Sequence, residues 1–259
     1  MFQELLSLPV VASEHGQDVD NFIIYIHWLM GALFVGWSAY YLYVLFRFRG
    51  SKNKKADYVG ARSHASSYLE LAVAGVEAVL LIGFAIPLWA KVVDSMPKTT
   101  GDTPATQVRV MAQQFGWNFM HPGADETFGK QEFELVSEEN KFGRDLEDPF
   151  GKDDIFTLNE IHIPIDRHVI FHISSLDVIH SFKVIALRVC QDAIPGMSIP
   201  TWCKPTKEGR YQINCAQLCG NGHAAMTLGF LSIDSREDYD AWLVQNTPAD
   251  GQGGGMSFE

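Results

Sequence analysis

The 259-residue sequence has few cysteines and no haem-attachment motif. Its four cysteines form neither a Cys-x-x-Cys-His pattern nor a Cys-x-x-Cys pair, which argues against covalent haem and against thioredoxin-like redox chemistry. Basic residues are scarce relative to acids. The formal net charge is −11, which argues against nucleic-acid binding and fits either a basic protein partner or a solvated acidic surface. The N-terminus lacks the basic region of a cleaved signal peptide. Low-complexity sequence is confined to the tail Gly251–Gly255, for which we expect disorder.

Apolar residues, 47% of the chain, are concentrated in two long runs near the N-terminus. The runs cover about residues 22–46 and 68–93, and each exceeds the roughly 20 residues with which a helix crosses a bilayer. Because core helices seldom stay apolar on every face, the runs predict a transmembrane hairpin. The loop between them is rich in Lys and Arg, whereas the segment before the first run has acids and no Lys or Arg. The positive-inside rule therefore predicts a cytoplasmic loop, with both termini outside.

Two carboxylates, Glu70 and Glu77, interrupt the second apolar run. They are seven residues apart and so lie near one face of a helix. An ionised carboxylate in hydrocarbon is costly unless it is neutral, paired or turned toward another protein surface. From the residues alone, Glu70 either conducts protons or packs against a neighbouring subunit or the membrane interface. Both interpretations indicate that the hairpin does not stand alone.

After the second run, short β-rich segments alternate with turn signals such as Pro195-Gly196. This spacing is typical of an all-β sandwich or barrel. The acidic segment 126–154 is predicted to be a surface insertion, and Arg236–Gln245 a short helix. Six strands are predicted: Val108–Met111, Glu160–Pro164, Val169–Ser174, Phe182–Ala186, Gly209–Ile213 and Thr227–Ile233. The predicted domains are 1–97 for the N-terminal segment and hairpin, 98–248 for the β domain, and 249–259 for the disordered tail.

Soft metal ligands are concentrated in one segment, C-A-Q-L-C-G-N-G-H-A-A-M. Its Cys215, Cys219, His223 and Met226 follow one another at offsets of four, four and three, and His180 lies upstream at the start of a predicted strand. Thiolate and thioether ligands favour copper in its lower oxidation state, and imidazole suits either state. The segment therefore predicts a copper site.

Three other structures could be built from these residues, but each would leave at least one potential ligand unused. A zinc site with two Cys and two His would leave Met226 idle, and the spacing is unusual for zinc. A mononuclear blue-copper site needs two His, one Cys and a weak Met, so one cysteine would be surplus. A disulfide between Cys215 and Cys219 would leave the His and Met residues incidental. Two thiolates that bridge two copper ions use every ligand.

Three motifs carry a resemblance to cytochrome c oxidase subunit II. Residues 215–226 resemble its copper loop, C-x-[EQ]-x-C-G-x-x-H-x-x-M. Asp177-Val-Ile-His180-Ser resembles its D-V-I-H-S segment, and Asp192-Ala-Ile-Pro-Gly196 resembles its D-A-[IV]-P-G turn. With two spans before a β domain, the resemblance covers nearly the whole chain. It implies a cupredoxin-like Greek-key barrel in a proton-pumping oxidase, in which this subunit accepts electrons from cytochrome c and passes them to haem in subunit I.

The resemblance also implies roles for particular residues and a location. Glu70 matches the proton-entry glutamate of the family's second span. Other oxidase subunits and membrane lipid would surround the hairpin, and the β domain would face the periplasm from the cytoplasmic membrane of a bacterium. The resemblance implies six ligands of a dinuclear copper centre, CuA. The thiolates of Cys215 and Cys219 would bridge both coppers. His180 and Met226 would complete one copper, and His223 and the Gln217 carbonyl would complete the other.

The sequence departs from the family at the copper loop and at the aromatic run. Most members have Glu where Gln217 stands, and that side chain also holds magnesium. A neutral amide is a weaker partner for this hard cation, although Asp192 matches the family's nearby acid. Phe115 replaces the first Trp of the family's Q-W-Y-W run, which is linked to electron entry. Trp117 matches the later Trp, and is interpreted either as a core aromatic or as an electron-entry residue.

Two cysteines lie outside the copper pattern. Cys190 and Cys203 flank the Pro195-Gly196 turn at similar distances, so they are predicted to be either a disulfide or two separate thiols. Three other functions are disfavoured. A copper-free subunit of a quinol oxidase would not need the copper ligands, and a nitrous-oxide-reductase-type carrier would not need two spans. A tethered copper chaperone would lack the D-V-I-H-S and D-A-I-P-G segments.

Overall fold

The computed structural model describes residues 6–55, 58–60 and 62–248. The chain divides into two compact units: a helical unit formed mainly by Asp18–Ser95, and a β domain formed by Met96 onward together with Pro9–Gln17. The tail Gly251–Gly255 lies outside the described residues, as does all of 249–259, so its disorder stays a prediction. The domain bounds derived from the sequence likewise stay a prediction.

The helical unit contains two long apolar helices, Gly16–Arg47 (α1) and Ala65–Asp94 (α2). Both are long and apolar enough to cross a bilayer, and no residue in the most apolar window of either helix is buried in the described chain. A π-helical segment, Val79–Ala85, interrupts α2. An edge-to-face contact between Tyr25 and Phe84, with ring centroids 5.6 Å apart, joins the two helices.

The described part of the β domain contains ten strands in two five-stranded sheets. Their bounds are Thr106–Gln113 (β1), Gly116–His121 (β2), Ile155–Leu158 (β3), Glu160–Pro164 (β4), Val169–Ser175 (β5), His180–Val184 (β6), Val189–Ala193 (β7), Ile199–Cys203 (β8), Gly209–Cys215 (β9) and Gly229–Asp234 (β10). One sheet has the order β3-β2-β1-β5-β8 and the other β4-β10-β9-β6-β7. The β1–β5 and β4–β10 pairs are parallel, and the other pairs are antiparallel. A helix, Arg236–Asn246 (α3), follows β10.

The predicted fold class, two apolar helices followed by an all-β domain, is confirmed. The two sheets form a sandwich, with a core that includes Trp117, Phe119, Phe171 and Phe182. All six predicted strands are present. Glu160–Pro164 is matched residue for residue by β4, whereas the other five differ by one or two residues at their ends, and the strand predicted at Phe182–Ala186 begins and ends two residues earlier, as β6. Four strands were missed: β2, β3, β7 and β8. Every residue of β2 is buried, so it lacks the alternation by which a half-buried strand is recognised.

The predicted insertion, 126–154, lies on the surface but has internal order. An isolated bridge pairs Gln131 with Arg144, and Phe142 between them is buried. The Asp154 carboxylate is fully buried and accepts a 3.1 Å hydrogen bond from the Gly129 amide. Burial raises the pKa of Asp154 to about 6, although the Gly129 bond and nearby arginines oppose the shift.

A segment before the first helix, residues 9–15, completes the β domain, and we call it the N-terminal strap. The Ala12 amide donates to the Ala186 carbonyl at 2.8 Å, and the Ala12 carbonyl accepts from the Thr206 amide at 2.9 Å. The Ser13 hydroxyl donates to the Leu187 carbonyl at 2.6 Å. Ala12 is fully buried in the core of the domain. This contact was not predicted, because seven residues without hydrophobic alternation resemble an ordinary segment that leads into a helix.

His121, at the end of β2, is a fully buried imidazole that packs against α3. Its ring centroid lies 4.9 Å from that of Trp242, and neither ring nitrogen has a hydrogen-bond partner among the described residues. Burial, and then the charge of His162, lower the pKa of His121 to about 3. The folded ring therefore resists protonation at mildly acidic pH.

We expect this ring to make the domain less stable as the pH falls. His121 binds a proton near pH 6.5 in the unfolded chain but only near pH 3 in the folded chain. The free energy of unfolding is therefore undiminished by this group above about pH 6.5, and it decreases as the pH falls below that value. Replacing His121→Phe should remove about 2 kcal/mol of the stability difference between pH 7 and pH 5, measured by urea unfolding. The matched control His168→Gln changes an exposed histidine. Equal pH slopes in His121→Phe and the native chain would contradict this expectation.

Candidate metal centre

The pairing of β6 with β9 brings the upstream histidine to the cysteine loop. The two strands are antiparallel, and Phe182 lies opposite Cys215 in their register. His180 begins β6 and Cys215 ends β9, so both lie at the same end of the sheet. The loop after Cys215 leads into a 3-10 helix, His223–Leu228, which carries the remaining two side-chain donors.

Cys219 lies at the centre of the donor cluster. Its Sγ atom is 3.4 Å from the Met226 Sδ atom, 3.4 Å from His223 Nδ1 and 3.9 Å from the Cys215 Sγ atom. Met226 is fully buried and Cys219 nearly so. One thiol is therefore within reach of three other soft donors.

Cys215 joins the other donors to this group. Its Sγ atom lies 3.0 Å from the Gln217 carbonyl oxygen and 3.9 Å from His180 Nδ1. The ligand atoms of His180, Cys215 and Cys219 all lie within 4.8 Å of one another, and no other such group of His, Cys or carboxylate ligands occurs in the described chain. The structure thus brings together all six donors that the sequence predicted.

The donors fit a soft metal better than a hard one. Burial, and then the neighbouring Cys215, raise the pKa of the Cys219 thiol to about 11. Two thiols this close need a cation before both can be deprotonated, because thiolates repel one another at short range. With a thioether and imidazoles beside them, they favour copper.

Asp177 orients the His180 ring. The His180 Nε2 atom lies 2.8 Å from Asp177 Oδ1, which leaves Nδ1 toward Cys215. Burial alone would raise the pKa of Asp177, but hydrogen bonds from the Gln114 amide, His180 and the Val178 amide together lower it. An anchored carboxylate behind a ligand histidine sets both its tautomer and its orientation. The D-V-I-H-S motif contained this pair, but its spacing alone did not indicate a contact.

The turn between β1 and β2 lies against the cysteine loop. The Gln114 side-chain amide donates to the Cys219 carbonyl at 2.6 Å. The Phe115 ring, 38% exposed, packs on Gly220 and Gly222. A Cβ atom added at Gly222 would lie 2.3 Å from Phe115 Cδ2. The ring and the loop therefore require a glycine at this contact.

Gly222→Ala is expected to weaken metal binding by displacing either Phe115 or the loop that carries His223. Since Gly222 has a negative φ of −93°, steric overlap is the reason for the effect. We expect at least about a tenfold loss in copper affinity, in the range seen when groups around a metal site are disturbed. The double variant Gly222→Ala, Phe115→Ala should recover most of it, measured by competition with a chelator. An unchanged affinity in Gly222→Ala would show that the contact is dispensable.

Trp117 is a buried core residue that also contacts the site. It is fully buried, its indole N–H donates to the Met226 carbonyl at 3.0 Å, and its ring centroid lies 6.3 Å from that of His180. Both interpretations from the sequence remain, because a core position and contact with two predicted ligands coexist. The more exposed aromatic beside the loop is Phe115.

Other predicted residues lie apart from the cluster. Asp192 is exposed on β7, opposite Ser181, and the Gln217 side chain is exposed. Asp192 belongs to no group of three or more His, Cys or carboxylate ligands within the described residues. Glu70 is exposed on α2. Magnesium binding and proton entry therefore stay predictions.

The predicted disulfide alternative is wrong for Cys190 and Cys203. Both thiols are free, with Cys190 exposed on β7 and Cys203 buried on β8. The two strands belong to different sheets, and the turn between them carries the chain from one sheet to the other. Burial raises the pKa of Cys203, which keeps this thiol protonated.

The fold and the site define a β-sandwich protein with an apolar helical hairpin and a buried cluster of soft metal ligands. The family model of the cytochrome c oxidase subunit II periplasmic domain matches residues 106–233. The chain is 32% identical over 229 residues to an alternative cytochrome c oxidase subunit 2 of Bradyrhizobium diazoefficiens, spanning 88% of this chain and 79% of that protein. It is 29% identical over 241 residues to the cytochrome c oxidase subunit 2 of Cereibacter sphaeroides, spanning 85% and 75%.

Among solved structures, the periplasmic domain of cytochrome oxidase subunit II (CoxB) of Bradyrhizobium japonicum is similar over 54% of this chain and 92% of that domain, with 23% identity and a TM-score of 0.39. On the strength of the sequence matches, the chain belongs to the cytochrome c oxidase subunit II family. It is thus a subunit of a haem–copper oxidoreductase complex, with a membrane anchor and a domain of the periplasmic type.

Proposed function

We propose that this chain is the electron-entry subunit of a proton-pumping cytochrome c oxidase and binds CuA. In this role it accepts electrons from a cytochrome c and passes them to haem in subunit I, where dioxygen is reduced to water. The observation that carries the proposal is the Cys219 sulfur, which lies within 4 Å of Cys215, His223 and Met226. Each of these donors has a use in a dinuclear copper site.

The ligand assignment is the one that the family resemblance implies, and the short distances from Cys215 and Cys219 to the other donors are compatible with it. Cys215 and Cys219 would bridge the metals, His180 and Met226 would complete one coordination sphere, and His223 with the Gln217 carbonyl would complete the other. When bound, the dinuclear copper group supplies one-electron transfer with little change in geometry. The residues of this chain are suited to hold that geometry constant.

Three hydrogen-bonded contacts of the chain restrain the site. Asp177 holds the His180 ring through a 2.8 Å contact. Trp117 holds the Met226 carbonyl from the core side, and Gln114 holds the Cys219 carbonyl from the β1–β2 turn. Electron transfer is favoured by such restraint, because a site that moves little between redox states needs little reorganisation.

The membrane topology is supported by the N-terminal strap. Ala12 lies in the core of the β domain, and this position fits a topology in which both ends of the helical hairpin lie on one side of the membrane. The basic loop between α1 and α2 favours the cytoplasm as the other side. With the β domain in the periplasm, Glu70 lies toward the cytoplasmic end of α2, where protons for dioxygen reduction would enter. Subunit I and other oxidase subunits would cover the exposed apolar faces.

Copper stoichiometry and an electron paramagnetic resonance spectrum of the full chain in lipid nanodiscs test the proposal. Two coppers per chain, with one unpaired electron shared equally by two nuclei, are expected. The variant Cys190→Ser is a matched control, because it removes an exposed thiol outside the cluster. One copper with a single-nucleus spectrum would instead indicate a blue-copper carrier. Absence of tight copper binding would leave a structural subunit and refute the proposal.

A further inference from the structure

A groove of about 430 Å³ lies on the face of the β1–β5 pair that points away from the core. Arg109 and His172 form part of its floor. Gln131 and Phe142 of the insertion form one wall, and the turn 196–198 forms another. No predicted copper ligand lines it. The insertion, residues 126–154, has no role in the proposed oxidase function. It nevertheless lines a cavity that is large enough for a small molecule.

Strand register places the two basic side chains together. β1 and β5 are parallel, and Arg109 is paired with His172. Side chains alternate between the two faces of a strand. Val108 and Phe171 are buried on the core face, so Arg109 and His172, the next residues along each strand, lie on the other face of the sheet. Their proximity follows from the hydrogen-bonded pairing of the sheet and does not depend on a flexible loop.

The charge of the groove is unbalanced. Among the described residues that line it, Arg109 is charged and none is acidic, although the whole chain carries −11. Burial lowers the pKa of the Arg109 guanidinium, and the charge of Asp154 partly opposes this shift. The pKa of His172 is lowered mainly by burial and secondly by the charge of Arg109. By contrast, another groove of the domain pairs Arg167 with Glu126 at 2.6 Å. Asp154 acts electrostatically on Arg109 but does not line the first groove, so an anion bound there would be the acidic partner of Arg109 within the groove.

Hydrogen-bond donors in the groove remain available. In the described structure, the Arg109 guanidinium donates through Nη1 to the Gln131 side chain and stacks 4.2 Å from the centre of the Phe128 ring. An arginine has five N–H donors in a planar fork, so most are uncommitted. The Ser174 hydroxyl has no side-chain hydrogen bond within the described residues, and His172 Nε2 lies 3.2 Å from Gln107 Oε1. These groups suit a planar or tetrahedral oxyanion.

The rest of the lining is apolar and adaptable. Met111, Met197, Val110 and Phe142 border the polar floor. Methionine side chains accommodate varied apolar shapes, because they are unbranched and polarisable. We propose that this groove binds a small amphiphilic oxyanion, with a carboxylate or phosphate head at Arg109 and Ser174 and a short apolar part against Met111 and Met197. The proposal is independent of the copper site.

Ligand-observed magnetic resonance on the full chain in nanodiscs, with empty nanodiscs subtracted, tests this site. The probes are hexanoate, hexyl phosphate and, as a cationic counterpart, hexylammonium. We expect saturable binding of at least one anion with a Kd near or below about 1 mM and none of the cation. Comparison of the two anions identifies the preferred head group. Failure of both anions to bind, or equal binding of hexylammonium, would overturn the proposal.

Variants separate specific binding from adsorption. Arg109→Gln should weaken anion binding at least about tenfold through the loss of charge-assisted hydrogen bonds. Met197→Trp should abolish it by filling the groove, while the charge stays intact. The matched control is Arg210→Gln, since Arg210 also stacks on a phenylalanine, with its guanidinium carbon 3.8 Å from the centre of the Phe230 ring. Unchanged copper stoichiometry and circular dichroism establish that each variant is folded. Binding that survives both groove variants in folded protein would refute the site.

Discussion

A chain carrying Cys219→Ser is expected to fold but to lose the two-copper stoichiometry. The Cys219 sulfur lies 3.4 Å from both Met226 Sδ and His223 Nδ1, so its replacement removes the donor that joins the loop to the 3-10 helix. A serine oxygen is a hard ligand and a poor bridge between copper ions. The loss of copper affinity should exceed about 100-fold, more than the 10–100-fold that follows loss of an outer partner of a metal ligand. Chelator competition and copper analysis measure it.

The assembled oxidase gives a second measurement of the same variant. Electron entry from cytochrome c should fall with the copper content, while the folding of the β domain should change little. Cys190→Ser, which alters an exposed thiol, should behave as the native chain does. If Cys219→Ser retained two coppers with an equally shared electron, the bridging assignment would be wrong.

Ala12→Asp is expected to destabilise the β domain by about 3 to 4 kcal/mol. The substitution places a charge in the core where Ala12 is fully buried, and it disrupts the strap whose hydrogen bonds each contribute about 1 kcal/mol. Urea unfolding of the full chain in nanodiscs, followed by tryptophan fluorescence, measures the change. Val10→Asp is the matched control, because Val10 belongs to the same strap but is 44% exposed.

Restoration by an added peptide separates a local effect from general damage. A peptide of residues 9–17 should raise the midpoint of unfolding of a chain from which residues 6–15 are deleted. The same peptide carrying the aspartate should not. If Ala12→Asp and Val10→Asp were equally stable, the strap would not be part of the folded domain in solution.

Local sequence patterns predicted the metal donors better than they predicted the strands. Cys215, Cys219, His223 and Met226 lie in one segment, where ligand type and offset are visible without a fold. The contact between Cys215 and His180 depends on the register of β6 and β9. Only the family resemblance placed His180 and Cys215 in one site before the strand register was known. The strands β7 and β8 were missed because their residues alternate irregularly, and Pro200 in β8 argued against a strand.

Local sequence patterns could not predict contacts between residues that are far apart in the sequence. Gln114, Asp177 and the strap act through hydrogen bonds to residues whose position depends on the whole sandwich. The groove at Arg109 was likewise not foreseen, although β1 was predicted, because the parallel pairing with β5 was unknown. The cysteines Cys190 and Cys203 looked symmetric about a turn, but the turn crosses between sheets and separates them.

The N-terminal strap has a consequence for how the protein is made. Ala12 is synthesised first and its partner Thr206 much later, with both membrane helices between them. In the proposed topology, the β domain therefore cannot be completed until the N-terminal strap lies on the same side of the membrane as the later strands. If the first helix inserted in the opposite orientation, the strap could not reach Thr206 and the domain would stay incomplete. In this topology, correct insertion of the first helix is a precondition for a complete metal-binding domain.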